Sequence, residues 1–346
     1  AGPTDAPTHI KSLADFTRLF GAPAQCGALG SAVSDYFANG GTDAIVVRVD
    51  PLKGADDLIG RRQRFAHTGL FALDKCDTFN LLCIPPYTGD GGVDPAVITE
   101  AAAYCEQRDA ILIVDPPAAW SDYDKARAGL ALIGTTSKNA AVYFPRIRRV
   151  DSATGATADT APSGAVAGVI ARTDLRRGVW KSPAGMEATL TGITSLTTSL
   201  TDGQISDLNV RNINCLRPFP GMGVCVWGGH TLSTDPEWKY LSVRRLALHI
   251  ETSVTRSTSW ANSEVNAAPL WASLRSAVGE FMRNLWVQGA FAGQRPEEAY
   301  FVKCGLGDTM TPTEVAEGRV LIEMGFAALR PAEFVIIRAS QSARKP

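Results

Sequence analysis

No apolar run in this sequence is long enough to cross a membrane. The longest, residues 79–86 and 110–114, fall far short of the roughly 20 residues a spanning helix needs. An excess of either charge is also missing. Lys plus Arg number 34 against 35 Asp plus Glu, a formal net charge of -1 with a pI near 6.5. No global attraction to nucleic acid or to an anionic membrane follows from that balance. Cys-x-x-Cys pairs are absent. The seven cysteines (Cys26, Cys76, Cys83, Cys105, Cys215, Cys225, Cys304) are odd in number and scattered, several of them in apolar runs, as expected of reduced core residues in a protein folded in cytosol. The chain opens Ala1-Gly2-Pro3-Thr4-Asp5, with neither an initiator Met nor a charged-then-apolar signal pattern, so upstream residues are expected to have been removed or left out.

Catalytic and cofactor motifs are missing in the same way. There is no G-x-x-x-x-G-K-[ST], and Gly89-Asp90-Gly91-Gly92 lacks the G-x-G-x-x-G spacing that would let a helix terminus receive a pyrophosphate. No G-x-S-x-G elbow seats a hydrolase nucleophile. The four histidines (His9, His67, His230, His249) form no H-E-x-x-H and have no close Cys partner, so neither a metal nor any cofactor is expected. Two residues stay open as catalytic candidates. Asp115 ends a strand ahead of Pro116-Pro117, where a catalytic acid could sit, and His230 lies in a Gly-rich turn. The plainer readings are a turn-forming acid and a structural turn.

What is present is regular. Leu13, Phe16 and Phe20 share one helical face behind a Ser12 cap, and Gly21 closes that run. A second helix is expected around 28–37 and a buried strand at 43–49. Strand-like runs at 79–84, 110–114 and 140–144 then alternate with helices at 95–107 and 122–133, the rhythm of parallel βαβ units and a doubly wound α/β layer. Residues 151–163 read as a polar surface loop, 165–173 as a helix, and 209–219 and 224–227 as extended chain. The last third differs in kind: two long helices, after Asp235-Pro236 and from Pro269 to Gly289, precede strands at 299–304, 319–325 and 333–339. Helices followed by strands indicate a separate α+β domain. Arginines cluster at Arg146, Arg148 and Arg149, at Arg244 and Arg245, and at Arg275 and Arg283, where solvated faces are the plain expectation and the few interleaved aromatics make no nucleic-acid platform.

An ordered series of motifs carries a family resemblance: NCLRPFPGMG at 214–223, VWGGHTLS at 226–233, DPEWKYLSVRR at 235–245, LWVQGAFAG at 285–293, AYFVKC at 299–304 and PAEFVII at 331–337. Upstream, GPTDAP at 2–7, IKSLADF at 10–16 and FNLLCIPP at 79–86 add to it. Together they resemble the contractile tail sheath proteins of phages, bacteriocins and extracellular contractile injection systems, least closely at 50–75 and 145–180. The resemblance implies an N-terminal segment (1–64) lacking its upstream arm, a subtilisin-like α/β domain without a catalytic site (65–229), and a C-terminal α+β domain facing an inner tube (230–346). It implies a structural subunit that polymerises as helical hexameric rings, contracts, and drives the tube through a target envelope. Its partners would be other copies of itself, an inner tube protein, and baseplate and terminal cap proteins, in a particle assembled in the bacterial cytoplasm. Shared strand arms would link subunits, with only residues 338–346 left for the C-terminal one. On the second long helix, Arg275, Gly279 and Arg283 fall opposite the apolar arc and are the expected contact with the tube. The alternatives are a hydrolase on a subtilisin-like or doubly wound sheet using Asp115 and His230, and a soluble carrier module.

Overall fold

The computed structural model describes residues 2–50, 52–64, 66–150, 155–329 and 334–345, and divides them into two compact units. The first comprises residues up to 177 together with 182–242. The second comprises 178–181 and 243 onward.

In the first unit, β1 (Thr8–Ile10) pairs antiparallel with β2 (Ala44–Val46), and α1 (Leu13–Phe20) and α2 (Gly27–Ala38) lie between them in sequence. Ser12 caps α1 as its sequence suggests, its hydroxyl accepting the Asp15 N–H at 3.1 Å. Ile10, Phe16, Phe20, Val33 and Val46 close a small core around this corner. The main sheet follows. It contains β3 (Leu81–Cys83), β4 (Ile111–Val114), β5 (Ala140–Phe144), and further along β9 (Ile213–Phe219) and β10 (Gly223–Trp227). The strand order is β10-β9-β5-β4-β3, with β3, β4, β5 and β9 parallel and β10 returning antiparallel as a hairpin.

The connecting helices are α3 (Pro95–Gln107), α4 (Tyr123–Gly129), α5 (Ser163–Arg177) and α6 (Asp202–Val210). Leu112 and Val114 of β4, Ala140, Val142 and Phe144 of β5, and Ile213 and Cys215 of β9 form one core with residues of α3, α4 and α6. Because strand side chains alternate, Ile111, Ile113, Ala141 and Tyr143 point the other way, and they are buried as well. Helix α5 packs on β3 and β4 from that side. Both faces are therefore covered, which is why these strands read as continuous apolar runs. Among the described strands the order runs one way across the sheet, with no reversal.

Two segments depart from the sequence expectation. Within the supposed polar loop, β7 (Thr157–Thr160) pairs with β6 (Ile147–Val150), which also takes β8 (Ser195–Leu196) on its other side; residues 151–154 lie outside the described residues. A strand exposed on both faces carries no apolar alternation to betray it. Residues 209–210, expected to open an extended run, instead end a helix over 202–210 that is closed at its N-terminus by a Thr201–Gln204 capping box.

The second unit is built on α7 (Leu241–Ser257), which enters it at Val243, and α8 (Ala268–Val287). Its antiparallel sheet has the order β11 (Tyr300–Lys303), β12 (Arg319–Ala327), β13 (Phe334–Ser342). Val320, Ile322, Met324 and Phe326 alternate inward with Val335, Ile337 and Ala339. Asn266 ties the unit together. Its backbone N–H donates to the Arg344 carbonyl at 2.8 Å, its amide to the Arg319 carbonyl at 2.9 Å, and its carbonyl oxygen accepts the Trp271 indole N–H at 2.8 Å. The strand expected to stop at 339 runs on to Ser342, and Arg344 is held by Asn266 and Glu264, so part of the tail is used inside the unit.

Candidate functional site

The C-terminal ends of parallel strands are where an α/β sheet would carry chemistry, and Asp115 stands there at the end of β4. It is buried, and its two oxygens accept the Ser163 backbone N–H at 2.8 Å and the Ser163 hydroxyl at 2.7 Å. Burial pushes its pKa up to about 6, while the two Ser163 bonds and the nearby Arg146 guanidinium pull it down. Cys83 donates weakly to the Ser163 carbonyl at 3.7 Å, and burial pushes its thiol up to about 12, which leaves it protonated and inert. A carboxylate that ties off the start of α5 is a structural device here, because the Ser163 hydroxyl has no imidazole to take its proton.

His230 does not supply one. It follows β10 and is held beside Asn214 of β9, while both Asp115 oxygens are taken by Ser163. The His230 backbone is clamped by Asn214, whose oxygen accepts the His230 N–H at 2.7 Å and whose amide donates to the His230 carbonyl at 2.8 Å. The ring lies 5.5 Å from that of Tyr240, and burial lowers its pKa. The hydrolase pair suggested by sequence is thus not assembled. Among the described residues no group of three or more His, Cys, Asp or Glu side chains gathers as a metal site, and no helix is long and apolar enough to cross a membrane.

The arginines expected on solvated faces are mostly engaged. Arg146 donates to the Gly91 carbonyl at 2.9 Å, Arg148 pairs with Asp159 at 2.8 Å, and Arg149 reaches the buried Asp35 at 2.5 Å. Arg244 and Arg245 are buried. On α8, Leu270, Leu274, Val278, Met282 and Leu285 form the buried stripe. Steps of 100° from Leu274 put Arg275 at the edge of that stripe and Arg283 on the far side. Arg275 accordingly reaches back to donate to the Cys304 carbonyl, so it is not opposite the apolar arc as the sequence reading had it. Gly279 lies between them with open space where a Cβ would stand, and Arg283 is exposed.

A polar knot around Asp74 escaped the sequence reading. Arg62 donates to Asp74 through Nε at 2.7 Å and Nη2 at 2.9 Å, the Tyr104 hydroxyl donates at 2.8 Å, and His67 Nδ1 lies at 2.9 Å. Arg108 joins at 3.4 Å and also donates to the Leu73 and Cys76 carbonyls. The Arg62 side chain, first among these partners, holds the Asp74 carboxyl well below its usual range. Arg62 also lies over the Phe71 ring, at 4.9 Å, and Arg108 over that of Phe79, at 5.2 Å. The knot fastens residues 62–76 to α3. Its members, from Arg62 to Arg108, lie up to 46 positions apart and share no motif, so only their convergence reveals them.

Comparison with known proteins gives this geometry a context. Residues 66–232 match the family model described as phage tail sheath protein central domain, and residues 233–342 that of the phage tail sheath C-terminal domain. A prophage major tail sheath protein of Pseudomonas aeruginosa (strain UCBPP-PA14) is 28% identical over 273 residues, 77% of this chain and 67% of the relative. The tail sheath protein of Burkholderia phage BcepMu is 27% identical over 309 residues, 82% of this chain and 61% of that protein. Among solved structures, the PVC sheath complex of an extracellular contractile injection system in its contracted state is 32% identical, with a TM-score of 0.78 over 97% of this chain and 86% of that one. A chain of the anti-feeding prophage baseplate is 30% identical, with a TM-score of 0.78 over 96% and 87%.

Proposed function

Because this chain belongs to the phage tail sheath protein family, as a structural subunit and not an enzyme, we propose that it polymerises into helical hexameric rings around an inner tube and contracts to drive that tube through a target envelope. The mechanism requires no bond chemistry in the subunit. Interfaces that differ by a few kcal/mol between two arrangements, summed over a cooperative lattice, supply the work. In this reading the parallel sheet with helices on both faces is the sheath form of a subtilisin-like layer that keeps the scaffold without a nucleophile. Baseplate and cap proteins bound the lattice at its two ends, and assembly takes place in the bacterial cytoplasm.

The observation that carries the reading is β13. Its nine residues pair along one side with β12 and, among the described residues, with no strand on the other. Such an edge accepts a strand from a neighbour, and an extended arm shared in this way tethers subunits while their bodies slide. Negative-stain electron microscopy of the purified chain tests it: rings or tubes are expected, and a monodisperse monomer at every concentration would overturn it.

The contact with the tube is assigned to the exposed side of α8. Arg283 and the flat patch at Gly279 are free to meet an acidic partner, whereas Arg275 enters only through the end of a side chain already bonded to the Cys304 carbonyl. An exposed ion pair repeated on every subunit holds the extended state yet is weak enough to break as the lattice widens.

A further inference from the structure

Hairpin β9–β10 outruns the sheet it belongs to. Its last parallel pairing with β5 is Cys215 with Phe144, so residues 216–219 and the start of β10 project beyond the C-terminal edge. At the tip the Met222 N–H donates to the Phe219 carbonyl at 3.1 Å, with Pro220 and Gly221 (φ 76°) in the two central positions of a type II turn. The base is stiff. Arg217 lies over the Phe219 ring at 4.7 Å and the Trp227 ring at 5.3 Å, and is itself held by Asp202 at 2.9 Å. This rigid mount presents Met222, 41% exposed, to solvent.

At the opposite end of the same sheet is a cleft of about 470 Å³. Thr99, Ala103 and Glu106 of α3 form one wall, and Thr136 and Lys138, just before β5, form the other, with Trp238 at the end. Lys138 Nζ stands 5.1 Å from the Trp238 ring centre, and Glu106 bonds the Ser137 hydroxyl. The length of β5 plus the overhang of β9, nine residues in all, separates tip from cleft by about 30 Å along the strands. They cannot meet within one molecule.

We propose that the Phe219–Met222 tip of one copy seats in the Trp238 cleft of the next, a head-to-tail contact that propagates instead of closing. The proposal rests on the reading of the chain as a self-assembling sheath subunit. A thioether fits the requirement, being flexible enough to fill a shallow cleft whose end is closed by the buried Trp238. Charge agrees: Glu106 and Asp235 border the cleft against the single ammonium of Lys138, and Arg217 stands at the base of the tip. Size also selects the partner. A four-residue tip buries on the order of 300 Å² on its side, well under the roughly 800 Å² per partner of a stable pair. It therefore suits a contact repeated through a lattice, not an isolated dimer. Because tip and cleft are different surfaces, the contact is heterologous, the kind that builds rings and open helices.

Paired cysteines test this in the full chain. Met222→Cys with Thr136→Cys, under mild oxidation, is expected to give a ladder of dimers, trimers and longer species on a non-reducing gel that collapses to monomer on reduction, with none from either single variant. Mixing the two single variants should give dimers only. Separately, Met222→Asp, at an exposed turn, should raise the concentration needed for tube formation at least tenfold while its circular dichroism is unchanged. Tubes without a ladder would overturn the contact and leave the sheath reading standing. A monomer with neither overturns both, and dimers from Met222→Cys alone would mean tip meets tip.

Discussion

Ser163 gives both its backbone N–H and its hydroxyl to the one buried carboxylate of Asp115, at 2.8 and 2.7 Å. A folded-state pKa near 6, against an unfolded value of 3.8, means that the folded chain holds this proton more tightly. Stability from this group is therefore full below about pH 4 and falls as pH rises to about 6, by an amount on the order of 2–3 kcal/mol. Asp35, raised to about 6 by burial against the pull of Arg149, acts in the same direction. Urea denaturation at pH 4.5 and 7.5 should show that Asp115→Asn removes part of this loss. An unchanged pH slope in that variant would count against it.

Asp74 works with the opposite sign. Held below its usual range, it contributes stability above about pH 4 that is lost as pH falls further. Asp74→Ala leaves Arg62, Arg108 and the Tyr104 hydroxyl without their shared acceptor, and should cost about 2–3 kcal/mol at pH 7. The loss should shrink toward pH 2, because the unfolded chain's carboxyl takes up a proton there that the folded one still resists. Thermal melts across that range measure it.

Helices α2 and α5 approach closely along Gly164 and Gly168. A Cβ at Gly164 would stand 2.2 Å from the Ala32 carbonyl oxygen, and one at Gly168 2.4 Å from that of Tyr36. Backbone cannot yield as a side chain can. Gly164→Ala is expected to destabilise by about 1–3 kcal/mol through forced separation of the helices. Gly203→Ala, in α6 with open space at its Cβ, should be neutral or gain up to about 1 kcal/mol.

The two arginines of α8 should separate in their effects. Arg275→Ala removes the donor to the Cys304 carbonyl and should lower the melting temperature of the chain. Arg283→Ala should leave stability unchanged within about 0.5 kcal/mol yet weaken co-assembly with an inner tube at low salt, with the difference from the wild type shrinking at high salt as the attraction is screened. Equal loss of stability in both variants would refute this division.

Much of this protein was determined locally, by pattern. The Ser12 cap, the helix from Pro95 to Gln107 and the strand Ala140–Phe144 occur at the residues their caps, prolines and apolar runs indicate, because those signals act within a few positions along the chain. The ordered motifs from Asn214 onward carried the family for the same reason, being short stretches that hold their own spacing. Tertiary structure alone decided the rest. Strand β7 is polar on both faces and exists because β6 lies beside it. Helical steps put Arg275 at the edge of the buried stripe of α8, but no periodicity shows that its guanidinium bonds a carbonyl 29 residues away. Asp115 and His230 looked like partners until the fold gave one to Ser163 and the other to Asn214, and the Asp74 knot looked like nothing until three segments met. A long side chain or a strand edge is satisfied by whatever the folded chain brings within about 3 Å, and that neighbour is set by topology, not by the residues on either side.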